Sequence, residues 1–70
     1  MWTRVKESGL VSRLHMRPTR VVLDRDASTK EYRTYLETVH KDGMITFCYG
    51  LIFVDESKAQ EDFDLRQKRL

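Results

Sequence analysis

Two acidic pairs are the first residues in this chain with the makings of chemistry. Asp24 and Asp26 bracket Arg25, and Asp62 and Asp64 flank Phe63. Glycoside hydrolysis needs two carboxyls held several ångströms apart across a cleft. These pairs are close in sequence and read as solvated, so no catalytic residue is expected among them. His15 and His40 are the two histidines. A zinc site requires further Cys, His or acidic ligands at suitable spacing, and neither histidine has them. His40 reads as an exposed strand end. His15, within a basic stretch, is a candidate for binding an anion. Cys48 is the only cysteine, which rules out an internal disulfide and a four-thiolate zinc site. A reactive thiol needs an electropositive setting, and Cys48 reads as a half-buried filler. No glycine loop of the phosphate-cradling kind occurs. The expectation is a protein that is not an enzyme, with no metal ligand and no cofactor.

Charge offers more than these side chains do. Seventy residues carry a formal net charge of +2. Residues 1–20 hold Arg4, Lys6, Arg13, Arg17 and Arg20 against Glu7 alone, while residues 21–70 hold eight basic and ten acidic side chains. A basic arm on a mildly acidic body is one pattern of nucleic-acid binding, with cations for phosphates and Trp2 for stacking. A small domain without disulfides fits a reducing compartment. No apolar run reaches the roughly 18 residues of a membrane span, and the first residues lack the apolar core of a secretory signal. A cytoplasmic protein with no membrane partner is expected.

The elements that must position these groups follow from hydrophobic period. Residues 1–19 form a basic N-terminal arm, broken at Ser8-Gly9 and ended at Pro18, which disfavours helix at Arg17. The arm is free to add a strand or a short helix. Residues 20–70 make one small α+β domain. Thr19–Asp24 is rich in β-branched residues and reads as a strand, and the polar Asp26–Thr29 stretch as its connection to an antiparallel neighbour. A long hairpin turns at Asp42-Gly43, and Ile45, Phe47, Tyr49, Leu51 and Phe53 alternate along its second arm. In a strand those five share one face, and in either hairpin register it is the core face. Asp55 opens a helix as N-cap, with Arg66, Lys68 and Arg69 at its end. Ala59, Phe63 and Leu70 form its apolar stripe, which packs on the hairpin's odd face, while Leu65 points elsewhere. The fold expected is a three-stranded antiparallel meander packed against one C-terminal helix.

Two hairpin registers are open. A two-residue loop pairs Thr38 with Phe47, Leu36 with Tyr49 and Tyr32 with Phe53. A three-residue loop with Gly43 left-handed sets Glu37 beside Phe47. The first gives the cleaner apolar face and is preferred. It places Cys48 across from Glu37 and Gly50 across from Tyr35. Glycine within a strand often marks a bulge or a close backbone approach. The even face then carries Met44, Thr46, Cys48, Gly50, Ile52 and Val54 beside Arg33, Tyr35, Glu37, Val39 and Lys41. That face is too apolar to be fully wetted, so the arm folds over it, a second copy packs there, or a partner docks there.

Phe53, Ala59 and Phe63, within FVDESKAQEDF, have the spacing at which a last strand enters a helix. This stretch, about a quarter of the chain, resembles the ethylene-response-factor DNA-binding domain of plants and the arm-binding domain of some tyrosine recombinases. The resemblance implies three strands plus a helix, and DNA read by the open sheet face through Arg, Lys and aromatic side chains. Arg33, Lys41 and Tyr35 occupy that face here, interrupted by Glu37. The leading expectation is therefore a small non-enzymatic regulator or inhibitor that binds another protein, of the kind phages use in host takeover. Its surface is the even sheet face, with Arg33, Tyr35, Met44 and Ile52. The alternative is a nucleic-acid-binding module led by Arg4, Lys6, Arg13, Arg17 and Arg20. A homodimer through the even face is a third possibility.

Overall fold

The computed structural model describes residues 1–14 and 16–70, leaving out His15 and with it the expected anion contact. Strands β1 (Trp2–Glu7), β2 (Thr19–Asp26), β3 (Glu31–Val39) and β4 (Ile45–Phe53) precede one helix, α1 (Glu56–Arg69). They form an antiparallel sheet in the order β1-β2-β3-β4, an uninterrupted meander. The α+β class expected from the sequence holds, but the sheet has four strands and not three. The fourth is β1, from the start of the basic arm. Its charged side chains hide the alternation, and pairing with β2 is what makes it a strand. Thr3 lies opposite Arg25 and Arg4 opposite Asp24, and a bulge follows before Lys6 meets Leu23.

Between β1 and β2 the chain leaves the sheet and is clamped where it returns. Ser8 donates its N–H to the Val21 carbonyl, and its hydroxyl accepts from the Val21 N–H at 2.8 Å. Val11 and Thr19 exchange backbone hydrogen bonds at 2.9 and 3.0 Å. The tight β2–β3 turn uses Lys30 at φ 60°, and Asp26 Oδ1 accepts from both the N–H and the hydroxyl of Ser28. An aspartate bonding its own chain two residues on is a turn device in its own right.

The helix begins as its sequence requires. The Asp55 side chain accepts from the Ser57 N–H at 2.9 Å, and basic residues occupy the last turn. Ala59, Phe63 and Leu70 are buried, as the helical stripe predicts, and Leu65 is half exposed. Their partners differ from those expected. The core is built on Val21 and Leu23 of β2, with Tyr32, Leu36 and Phe53 packed around it. The helix thus lies across β2 and β3 more than on the hairpin's outer arm. Burying Phe63 contributes about 3 kcal/mol. Lys6 Nζ caps its ring at 4.4 Å from the centroid. The buried Thr34 hydroxyl donates to Asp62, tying helix to sheet.

Both hairpin registers occur, one in each half. Tyr32 faces Phe53 and Thr34 faces Leu51, as the two-residue loop would have it. Leu36 faces Cys48, Glu37 faces Phe47 and Val39 faces Ile45, as the other register would have it. A bulge between Thr34 and Leu36 on β3's ladder absorbs the difference, with Tyr49 at φ 57° as its left-handed residue. The turn itself closes with Gly43 at φ 88°. One extra residue flips every later side chain to the other face. Leu51 and Phe53 therefore lie on the helix side, while Ile45 and Phe47 turn to the open side. This corrects the expectation that all five odd residues share one core face, and that Cys48 opposes Glu37.

Candidate binding surface on the open sheet face

The face away from the helix divides along the strands. On its β1–β2–β3 side an ion network covers the sheet. Glu37 is 2 % exposed and takes two of the four arginines of the basic stretch: Arg4 at Oε2 and Arg20 Nε at Oε1, each at 2.6 Å. Arg4 also reaches Glu7 at 2.8 Å. Burial pushes the Glu37 carboxyl up, but the two guanidinium groups outweigh it and hold it below its ordinary range. The hydrogen bond to Glu37 holds Arg4 charged to a higher pH than usual. The cost of a buried acid beside Phe47 is thus met by β1, which the hairpin alone did not reveal.

A second knot centres on Asp24, itself buried. Its Oδ2 accepts from Arg33 Nε at 2.8 Å and from the Tyr35 hydroxyl at 2.9 Å. Its Oδ1 is buried and meets no donor among the described residues. Burial is the main reason the Tyr35 phenol titrates above its ordinary value; the bond to Asp24 adds to the effect, and Arg4 opposes it. Arg33 lies between two rings, 4.5 Å from the Trp2 centroid and 5.2 Å from that of Tyr35. Such stacking adds cation–π attraction while leaving the planar guanidinium its donors.

On the β4 side the character changes. Phe47 is 62 % and Tyr49 75 % exposed, with Ile45 and Ile52 also exposed. Phe47 meets Tyr35 edge-on, with centroids 5.5 Å apart. Arg4, Arg33, Tyr35, Phe47, Cys48, Tyr49 and Gly50 line an open hollow of about 680 Å³. The bulge forms its outer rim. Gly50 is no steric necessity there, since a Cβ would meet only ordinary contacts at 3.9 Å. The glycine signal in the sequence pointed to the bulge, yet the strained residue is its neighbour Tyr49.

The protein-binding residues named from the sequence do not all meet. Arg33 and Tyr35 share the hollow, and Ile52 pairs directly with Arg33. Met44 lies in the turn, roughly 25 Å from Ile52 along an extended strand. There it lines a separate hollow with Arg17, His40, Lys41, Asp42 and Thr46. His40 Nε2 is 2.7 Å from the Thr46 hydroxyl. Phe47 and Tyr49 were placed in the core by period alone; the bulge makes them the exposed aromatics of this face. The five arm cations are scattered as well. Arg4 and Arg20 hold Glu37, Lys6 caps Phe63 from the helix side, and Arg13 and Arg17 are exposed in the loop before β2.

Among the described residues no group of three His, Cys, Asp or Glu side chains is placed to hold a metal ion. No described helix is long and apolar enough to cross a membrane. No family model, no curated protein and no solved structure matches this chain.

Proposed function

We propose that this protein is a small non-enzymatic regulator that acts by binding another protein through the β4 side of its open sheet face. The observation that carries this reading is the hollow with its exposed rim of Phe47 and Tyr49 around the stacked Arg33, whose strand partner Ile52 is also exposed. Aromatic and arginine side chains at a partly preformed depression are the composition of interface hot spots. Arg33 is held in place by Asp24, Trp2 and Tyr35, so little of its side-chain entropy is left to lose on binding. An inhibitor that occupies a partner's surface fits a chain of this size, and a host-takeover factor is one form of it.

The nucleic-acid reading has less support. Arg4 and Arg20 are engaged by acids, and Glu37 lies in the middle of the face. The test uses tagged wild type and Phe47→Asp to capture partners from host lysate, each with and without nuclease. The expected result is a protein retained by wild type in both conditions and lost with Phe47→Asp. Capture that disappears with nuclease, or that survives the substitution unchanged, defeats the reading.

A further inference from the structure

Strand β4 ends the sheet, and apart from its bulge it lacks what free edges carry. Exposed edge strands are blunted by charge, proline or brevity. Ile45–Phe53 is nine residues with no charged side chain and no proline. It is apolar on both sides of its free backbone edge. Phe47 and Ile52 flank it on the open side. On the helix side Leu36, Leu51, Leu65 and Leu70 line another open groove, with Tyr49 at its lip and Asp62, Arg66 and Arg69 along the helix. Leu51 and Leu65 are both about half exposed, although they stand beside the core.

We infer that a second copy of this chain pairs with β4, antiparallel and about a two-fold axis normal to the sheet at the Tyr49–Gly50 bulge. The argument for a second copy is self-complementarity. Residues paired across an antiparallel ladder share a face. The bulge lies at the middle of β4 and reverses the facing of its two halves. Centring the axis between Tyr49 and Gly50 opposes Phe47 to Ile52 of the second copy, both on the open side. It also opposes Cys48 to Leu51 and Thr46 to Phe53, all on the helix side. Every pair is matched in face and none is charged. The bulge sets this point: in an unbulged strand, pairing about Tyr49–Gly50 would oppose residues of opposite faces.

The area fits as well. Phe47 and Tyr49 together expose on the order of 250 Å², taking 150–250 Å² for a whole aromatic side chain. Ile45, Leu51, Ile52, Leu65 and the backbone edge bring the strip to roughly 600 Å², against roughly 800 Å² per partner in a standard interface. The product is an eight-stranded sheet with both helices on one side and both hollows on the other. Its area places the dimer at the weaker end of specific association, so it depends on concentration. The dimer shares Phe47, Tyr49 and Ile52 with the regulator reading, but Leu51 and Leu65 line the helix-side groove and not the hollow, so their variants test the dimer separately.

Sedimentation velocity across a dilution series, combined with hydrogen exchange at its two ends, tests the dimer. The expected result is a species of twice the 8.4 kDa chain mass at high concentration, dissociating on dilution. Alternate β4 amides should lose protection as it dissociates, while β2 amides should not. Leu51→Lys should abolish the dimer with an unchanged circular dichroism spectrum, and Leu65→Lys, which leaves the strand untouched, should weaken it at least tenfold. A monomer at every concentration overturns the inference. So does a dimer whose β4 protection ignores concentration, or one that both lysine variants leave intact.

Discussion

The two edges of this sheet are built on opposite principles. Strand β1 is short and charged, with Arg4, Lys6 and Glu7, and it is interrupted by a bulge at Val5. Its two cations are turned to internal use, Arg4 on Glu37 and Lys6 on Phe63. Strand β4 is longer and uncharged, and it presents apolar side chains on both faces. Each edge has one bulge, but with different consequences. At β1 the bulge disrupts an edge that is already charged. At β4 it divides an apolar strand into two halves of opposite facing. The difference teaches that charge in the first residues is structural here. The large exposed apolar side chains Phe47, Tyr49 and Ile52 are at the other edge.

The strongest challenge to that comparison is removal of the acid that organises the β1 side. Glu37→Ala leaves Arg4 and Arg20 without their buried partner. Such losses cost 3–5 kcal/mol in dry interiors. Both arginines here reach solvent, so about 2–3 kcal/mol is expected from urea unfolding, discounted for that screening. A loss below about 1 kcal/mol would mean that the network is ornamental and that β1 is no better anchored than a frayed terminus.

Titration probes the same side more gently. Glu37 sits below its ordinary value of 4.5, and Asp26 is drawn from 3.8 to about 2, chiefly by the Ser28 hydroxyl. Depressed carboxyls bind protons more readily in the unfolded chain, so their stabilisation is whole above about pH 4.5 and is lost as pH falls toward 2. Tyr35 is shifted upward from 10.0, so its contribution is present below that pH and is lost as pH rises past it. Thermal unfolding from pH 2 to 7 should show a monotonic rise, and Glu37→Gln should flatten its upper part. An unchanged slope in that variant would remove Glu37 as its source.

Effects at the β4 edge are smaller in stability and larger in recognition. Tyr49 holds a left-handed backbone that costs a side-chain-bearing residue about 1–2 kcal/mol, of which glycine would return part to unfolded-state entropy. Tyr49→Gly should therefore stabilise the monomer by about 0.5 kcal/mol in urea midpoint while weakening capture of the partner. A destabilised variant would show that the ring is held by packing and is not free for contact. Last, Phe47→Lys should cost no more than about 1.5 kcal/mol, the worth of its edge-on contact with Tyr35. A larger loss would place Phe47 in the core and remove the contrast between the edges.

Much of this architecture was legible in the residues. Richness in β-branched residues located β2, alternation located β4, and the Asp42-Gly43 turn made β3 its hairpin partner. Asp55 and the basic last turn bounded the helix, and Ala59, Phe63 and Leu70 identified its buried stripe. These features depend on local preference and on side chains a few residues apart, which a sequence displays directly. Strand β1, the bulge and the engagement of the arginines depend on other things. Trp2–Glu7 becomes a strand because β2 offers it a ladder. Glu37 is tolerable beside Phe47 because Arg4 comes from 33 positions away. The bulge at Tyr49 arises because the turn and the far end of the hairpin demand different registers, and a single extra residue reconciles them. Alternation was read correctly in each half of β4, but which face each half presents is a property of the pairing. Period is written along the chain; facing and partnership are set only once distant segments meet.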